Sequence, residues 1–167
     1  MKAGALARLG LLTACALILS YIEFLVPVFP FPGVKIGLAN VAVLFALYVL
    51  GGGYAAAVML LKAVLSSALF SGVTGMIYSL LGGTAGFAAM LAAKKLLKAG
   101  TVGVSVMGSV FFNLGQLCAA GMMISAEAAW SYAPVLMLSG LVMGVVTGVC
   151  AQSVLKSSFV RRGDKYD

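Results

Sequence analysis

A few polar side chains in this 167-residue sequence sit where they could do chemistry. Glu23 and Lys62 lie inside long apolar runs, where a charge costs about 2.5–3.5 kcal/mol on insertion scales and is a functional candidate by default. Glu23 falls roughly 4–5 Å below the end of its apolar run and Lys62 roughly 12 Å below the end of its own. A flexible lysine stem spans that difference, so the two could form a structural ion pair, or Glu23 could be solvated at the interface. The other reading is that one or both line a substrate pocket. Lys35 belongs to the stretch Pro27-Val-Phe-Pro30-Phe-Pro32-Gly33-Val-Lys35-Ile-Gly37, whose prolines forbid a helix and predict a stiff extended loop leading into the next helix, with Asn40 one turn into that helix. That loop is either a connector whose lysine meets lipid headgroups or a lid whose Lys35 pairs an anionic group. Asn113 and Gln116 are three residues apart and share a helical face, either as interhelical glue or as ligand hydrogen-bonding groups. Trp130 is a candidate aromatic wall or interface anchor.

Much chemistry is excluded by what is missing. The chain has no histidine, which removes imidazole metal ligands, Ser-His and Cys-His nucleophile pairs and imidazole proton shuttles. Cys15, Cys118 and Cys150 are far apart within apolar segments and offer neither a disulfide framework nor a metal spacing. No G-x-x-x-x-G-K-[ST] occurs, so ATP cannot be bound by a P-loop. The neighbouring acids Asp164 and Asp167 lie in a basic tail and do not make a Mg²⁺ site for a diphosphate. No enzyme activity, metal or cofactor is expected, and any transport requires an outside energy source.

The elements that must position these residues follow from composition. Apolar residues make up 63% and charged residues 9%, against about 25% charged in a soluble domain, with mean hydropathy +1.15. An integral membrane protein in the lipid bilayer is expected. Runs of about 20 apolar residues are needed to cross. The segments 6–26, 38–52, 54–71, 73–93, 102–124 and 133–155 qualify, the second being short. They predict an all-α bundle of six transmembrane helices in a single domain over 1–167. Lys2, Arg8, Lys94, Lys95, Lys98, Lys156, Arg161, Arg162 and Lys165 then share one side, and Lys35 stands alone on the other. By the positive-inside rule both termini are cytoplasmic, and the net charge of +7 describes orientation rather than nucleic-acid binding. Lys2, Arg8 and the Leu12-Thr13-Ala14-Cys15 box resemble a processed leader, but more membrane sequence follows Cys15, so the first helix is expected to stay.

Small residues recur at four-residue spacing. Gly140, Gly144 and Gly148 line the sixth segment, and Gly82, Gly86, Ala89 and Ala93 the fourth, as expected where helix backbones approach closely. Ala3 and Ala7 form a further, weaker pair that could receive a partner helix.

The stretches PGVKIGLANVAVLFALYVLG (32–51), SVMGSVFFNLGQLCAAG (105–121) and APVLMLSGLVMGVVTG (133–148) resemble the bacterial Gx transporter family, often labelled heptaprenyl diphosphate synthase component I. That family is similar in size and layout to the substrate-binding S components of energy-coupling-factor (ECF) transporters. The resemblance implies six helices that bind a vitamin- or precursor-like molecule from outside and dock on a coupling membrane subunit with ATPases through an A-x-x-x-A face. Pro32, Gly33, Lys35, Gly37 and Asn40 match one family motif, Asn113, Gly115 and Gln116 another, and Ala3 and Ala7 fall at the docking stripe. Family members commonly carry His where this chain has Phe112. The synthase label conflicts with the residues, since prenyl diphosphate synthases use Asp-rich Mg²⁺ sites.

Together these readings predict a bacterial cell-membrane, multi-pass protein that captures a small, anionic or amphipathic substrate. Glu23, Lys35, Asn40, Asn113, Gln116 and Trp130 form the expected pocket, and Ala3 and Ala7 the docking face. The alternatives are a membrane accessory subunit of isoprenoid, quinone or redox metabolism, and a stand-alone gradient-driven carrier with Glu23 and Lys62 as its ion-coupled pair.

Overall fold

A computed structural model describes residues 3–25, 35 and 37–163. The chain runs as α1 (Ala3–Leu25), α2 (Asn40–Val49), α3 (Gly52–Ser66), a π-helical turn (Ser67–Ser71), α4 (Gly72–Lys95), α5 (Thr101–Met123) and α6 (Ala126–Gly163). No strand occurs among the described residues. The proline-rich part of the expected loop, Pro27 to Val34, lies outside the described residues.

Four helical runs are long and apolar enough to cross a membrane: Ala3–Leu25, Gly52–Lys95, Thr101–Met123 and Ala129–Ser157. At 1.5 Å per residue the 44-residue run Gly52–Lys95 is about twice the thickness of a bilayer core, so it must fold back on itself. It does so at Gly72, whose φ of +65° is costly for residues with a Cβ. The two arms then pack antiparallel: a Cβ on Gly52 would lie 3.4 Å from Leu91, and one on Gly83 would lie 2.9 Å from the Met59 sulfur.

The second segment departs from the expectation of a span over 38–52. α2 is ten residues long, about 15 Å, half a bilayer core. Gly37 and Gly51, at φ +91° and +92°, bound it on either side and stop the helix from continuing. α2 is buried nearly all round, with Ala42, Val43, Leu44, Ala46 and Leu47 inside, and one apolar core forms about it. Its C-terminal end is held by Lys94, whose Nζ donates to the Leu47 carbonyl at 2.8 Å and sits 4.2 Å from the Tyr48 ring centre.

The remaining helices divide the molecule into two parts. α4, α5 and α6 form a close-packed slab in which glycines replace side chains at the crossings. A Cβ on Gly86 would meet the Gly108 carbonyl oxygen at 2.7 Å, and one on Gly144 would meet the Val106 Cα at 2.6 Å. α5 therefore receives the glycine stripe of α4 on one side and that of α6 on the other, with the backbones in direct contact. α1, α2 and α3 pack on one another beside this slab.

Candidate functional site

The charged and amide residues meet where the start of α2 enters the bundle. Of the residues described between α1 and α2, Lys35 and Gly37 are buried rather than at the surface. A buried segment without regular structure must find partners for its backbone groups. Side chains from other helices supply them. The Gln116 carboxamide on α5 pairs twice with the backbone of Lys35, accepting from its N–H and donating to its carbonyl, both at 3.1 Å. One carboxylate oxygen of Glu23 on α1 accepts from the Leu38 N–H. The Gly37 carbonyl accepts from the Asn40 N–H at 3.0 Å and closes the turn into α2. Gly37 combines a positive φ with a tight site, since a Cβ there would lie 3.0 Å from the Asn40 side-chain nitrogen.

The two lysines enter from opposite sides of this turn. Lys62, on α3 and 2% exposed, donates to Asn40 Oδ1 at 3.0 Å and lies 5.4 Å from the Phe112 ring centre. Lys35 donates from Nζ to Ser66 Oγ at 3.3 Å. Glu23 and Lys62 do not form a direct ion pair; the carboxylate holds the α2 entry and the ammonium holds Asn40. With both lysines protonated and Glu23 ionised, three formal charges sum to one excess positive charge in a low-dielectric interior. The N-terminal end of α2, with its positive dipole end, points into the same place.

Polar capacity is left over. The second Glu23 oxygen, the Asn40 side-chain nitrogen and the hydroxyls of Ser20 and Ser67 are buried without a partner among the described residues. Each ammonium has three donors, of which one is used. Beneath Asn40 a void too small for water is lined by Met59, Gly83, Gly86 and Phe112. Two buried ammoniums with donors to spare are chemistry suited to an anionic group.

Of the residues singled out from the sequence, Glu23, Lys35, Asn40 and Gln116 come together here. Asn113 does not join them. Its side chain turns to α6, donating to the Leu136 carbonyl and, at 3.3 Å, to Ser139 Oγ. A three-residue step is 60° short of a full helical turn, which is enough to send Gln116 to the Lys35 backbone and Asn113 to the neighbouring helix. Trp130 is 69% exposed near the start of α6 and makes none of the cluster's hydrogen bonds. Ala3 and Ala7 are exposed on α1. Lys62 belongs fully to the cluster, and its depth in an apolar run marked it. Ser66, Ser67 and Ser20 had no such signal, because serine in an apolar helix ordinarily bonds its own preceding turn.

An all-helical fold with four membrane-length apolar runs and a charged cluster inside it defines a multi-pass membrane protein. The chain belongs to the heptaprenyl diphosphate synthase component I family, whose model matches residues 12–154. No curated protein and no solved structure matches it.

Proposed function

We propose that this protein is the membrane subunit that captures a small anionic molecule for uptake, at the Glu23–Lys35–Lys62 cluster. The observation that carries this reading is a pair of lysines and a carboxylate buried together with unused hydrogen-bonding capacity. Buried charge is a poor way to stabilise a helix bundle, and an apolar replacement of similar volume often does as well or better. Its retention inside a membrane favours a ligand that brings the balancing charge. Asn40 and Gln116 position the two lysines, and Lys35 carries the mobile contact, since its segment is held by side chains rather than by a helix.

Six crossings with both termini cytoplasmic accommodate this role. In that topology the α3–α4 hairpin supplies two crossings, and α2 with its buried entry segment supplies one. In that topology the basic residues fall on the side of the termini and of the α4–α5 connection, and the cluster at the start of α2 lies toward the opposite face. The chain carries no nucleotide-binding loop, so energy comes from partner ATPase subunits through a coupling membrane subunit, as in ECF transporters. Exposed Ala3 and Ala7, with open space around Gly4 and Gly10, suit a closely approaching partner helix. The family's description as a component supports a second reading, a non-catalytic accessory to a prenyl-lipid enzyme.

Native mass spectrometry of the purified protein tests the first reading. A retained small anion is expected in the wild type and its loss in Lys35→Gln. Recovery of ATPase and coupling subunits, abolished by Ala7→Trp, is the companion result. A stable complex with a soluble prenyl-transferring enzyme and no small molecule would instead establish the second.

A further inference from the structure

The cluster contains more than cations for an anion. The second Glu23 oxygen is an acceptor with no hydrogen-bond donor among the described residues, although the residue is only 9% exposed. Ser20 stands one turn before it on the same side of α1, fully buried, with its hydroxyl unpartnered. Ser67, 1% exposed, begins the π-helical turn that packs against α1, and its hydroxyl is unpartnered too. Its neighbour Ser66 already holds the Lys35 ammonium. π-helical turns of this kind are frequent at functional sites. An ionised acceptor left bare in the interior loses more than a neutral one, and its partner must be a donor. Each ammonium donates one bond, Lys62 to Asn40 and Lys35 to Ser66, and neither donates to Glu23.

Charge decides what kind of donor fits. One negative charge on the ligand cancels the excess of the cluster, whereas an added ammonium would restore it. A neutral donor satisfies Glu23 at no electrostatic cost.

Resting on the anion-capture reading, we infer that the ligand is a small organic anion that also carries a hydroxyl group, its anionic end on Lys35 and Lys62 and its hydroxyl donating to Glu23 beside Ser20 and Ser67. The carboxylate is then a specificity device. An anion lacking the hydroxyl displaces whatever water serves Glu23 and leaves the acceptor bare, and a site built to bond a substrate hydroxyl rejects the analogue without it.

Matched pairs of acids test this on the full-length protein in lipid nanodiscs: glycolate against acetate, 3-hydroxypropionate against propionate, and 4-hydroxybutyrate against butyrate. Affinities are read from the dependence of unfolding temperature on ligand concentration. In at least one pair the hydroxy acid is expected to bind about tenfold or more tightly, the size of a hydrogen bond to a charged group. Glu23→Gln should bring the two members of that pair close together while retaining anion binding, since the lysines remain. Equal affinity within every pair, with binding present, overturns the inference and leaves anion capture standing. A preference that survives in Glu23→Gln also overturns it, because the hydroxyl would then be recognised elsewhere. Absence of binding by every acid removes both readings.

Discussion

The α4–α5–α6 slab and the α1–α2–α3 layer beside it are built on opposite principles. In the slab, glycines let three backbones touch, and the adhesive is close van der Waals contact. In the layer, a ten-residue helix and a short buried segment are held by long-range bonds from Glu23, Ser66, Lys62 and Gln116. The slab has almost no freedom to rearrange, since any motion opens several backbone contacts together. The layer can exchange one partner for another, because a ligand group can replace a side chain at little cost. A rigid wall beside an adaptable polar insert is the division of labour the proposed binding role calls for.

The largest effect should come from breaking the wall. Gly144→Leu places a side chain against the Val106 Cα, and Gly86→Leu places one against the Gly108 carbonyl, where no flexible group can give way. Each is expected to cost more than about 3 kcal/mol. The check is loss of the monodisperse folded peak together with a leftward shift in denaturant unfolding. Gly10→Leu is the matched control, because open space surrounds Gly10 and stability should be unchanged.

Gln116→Leu sharpens the contrast at the seam between the two regions. It removes both partners of the Lys35 backbone, an expected loss of about 1–3 kcal/mol for buried groups left bare. Because only the entry segment depends on that pairing, the loss should be local. Hydrogen exchange is expected to accelerate at the amides of Gly37 and Leu38, while α5 itself stays protected. Faster exchange throughout α4–α6 would mean that the two regions are not separable.

The charges of the layer should behave in the reverse sense. Glu23→Gln with Lys62→Met removes a buried carboxylate and a buried ammonium, and the glutamine oxygen can still accept from the Leu38 N–H. Stability is expected to stay level or rise, by up to about 2 kcal/mol, while anion binding is lost. A marked fall in unfolding stability would show that these charges hold the fold, as the slab glycines do.

The two regions also differed in how far they could be read from the residues alone. The slab was legible because its rule is local: glycine at every fourth position predicts a close crossing whatever the partner helix is, and Gly82, Gly86, Gly140 and Gly144 all lie at such crossings. The positions of Glu23 and Lys62 were legible for a similar reason, since a charge inside an apolar run stands out. The length of α2 was not, because glycines in a chain with 21 of them do not announce which will adopt a positive φ. The descent of Lys35 into the bundle was equally hidden. It depends on a pairing with Gln116, 81 residues away, that no spacing encodes. Asn113 shows the limit of a shared face, where two amides on one stripe served different neighbours.

The smallest expected effect concerns a polar contact that joins two slab helices near their close crossing. Ser105 on α5 and Thr147 on α6 lie 2.8 Å apart, both 1% exposed, between Gly144 and Gly148. Thr147 also donates or shares its hydroxyl with the Met143 carbonyl at 2.7 Å, so it keeps a partner when Ser105 is removed. If glycine packing carries the slab, this bond adds little, and interhelical hydrogen bonds in membranes average about 0.6 kcal/mol with a maximum near 1.7. A double-mutant cycle of Ser105→Ala and Thr147→Val is therefore expected to give a coupling below about 1 kcal/mol. A coupling well above that range would place polar contacts among the main supports of the slab, and the division between a dry wall and a polar insert would no longer describe how the molecule is built.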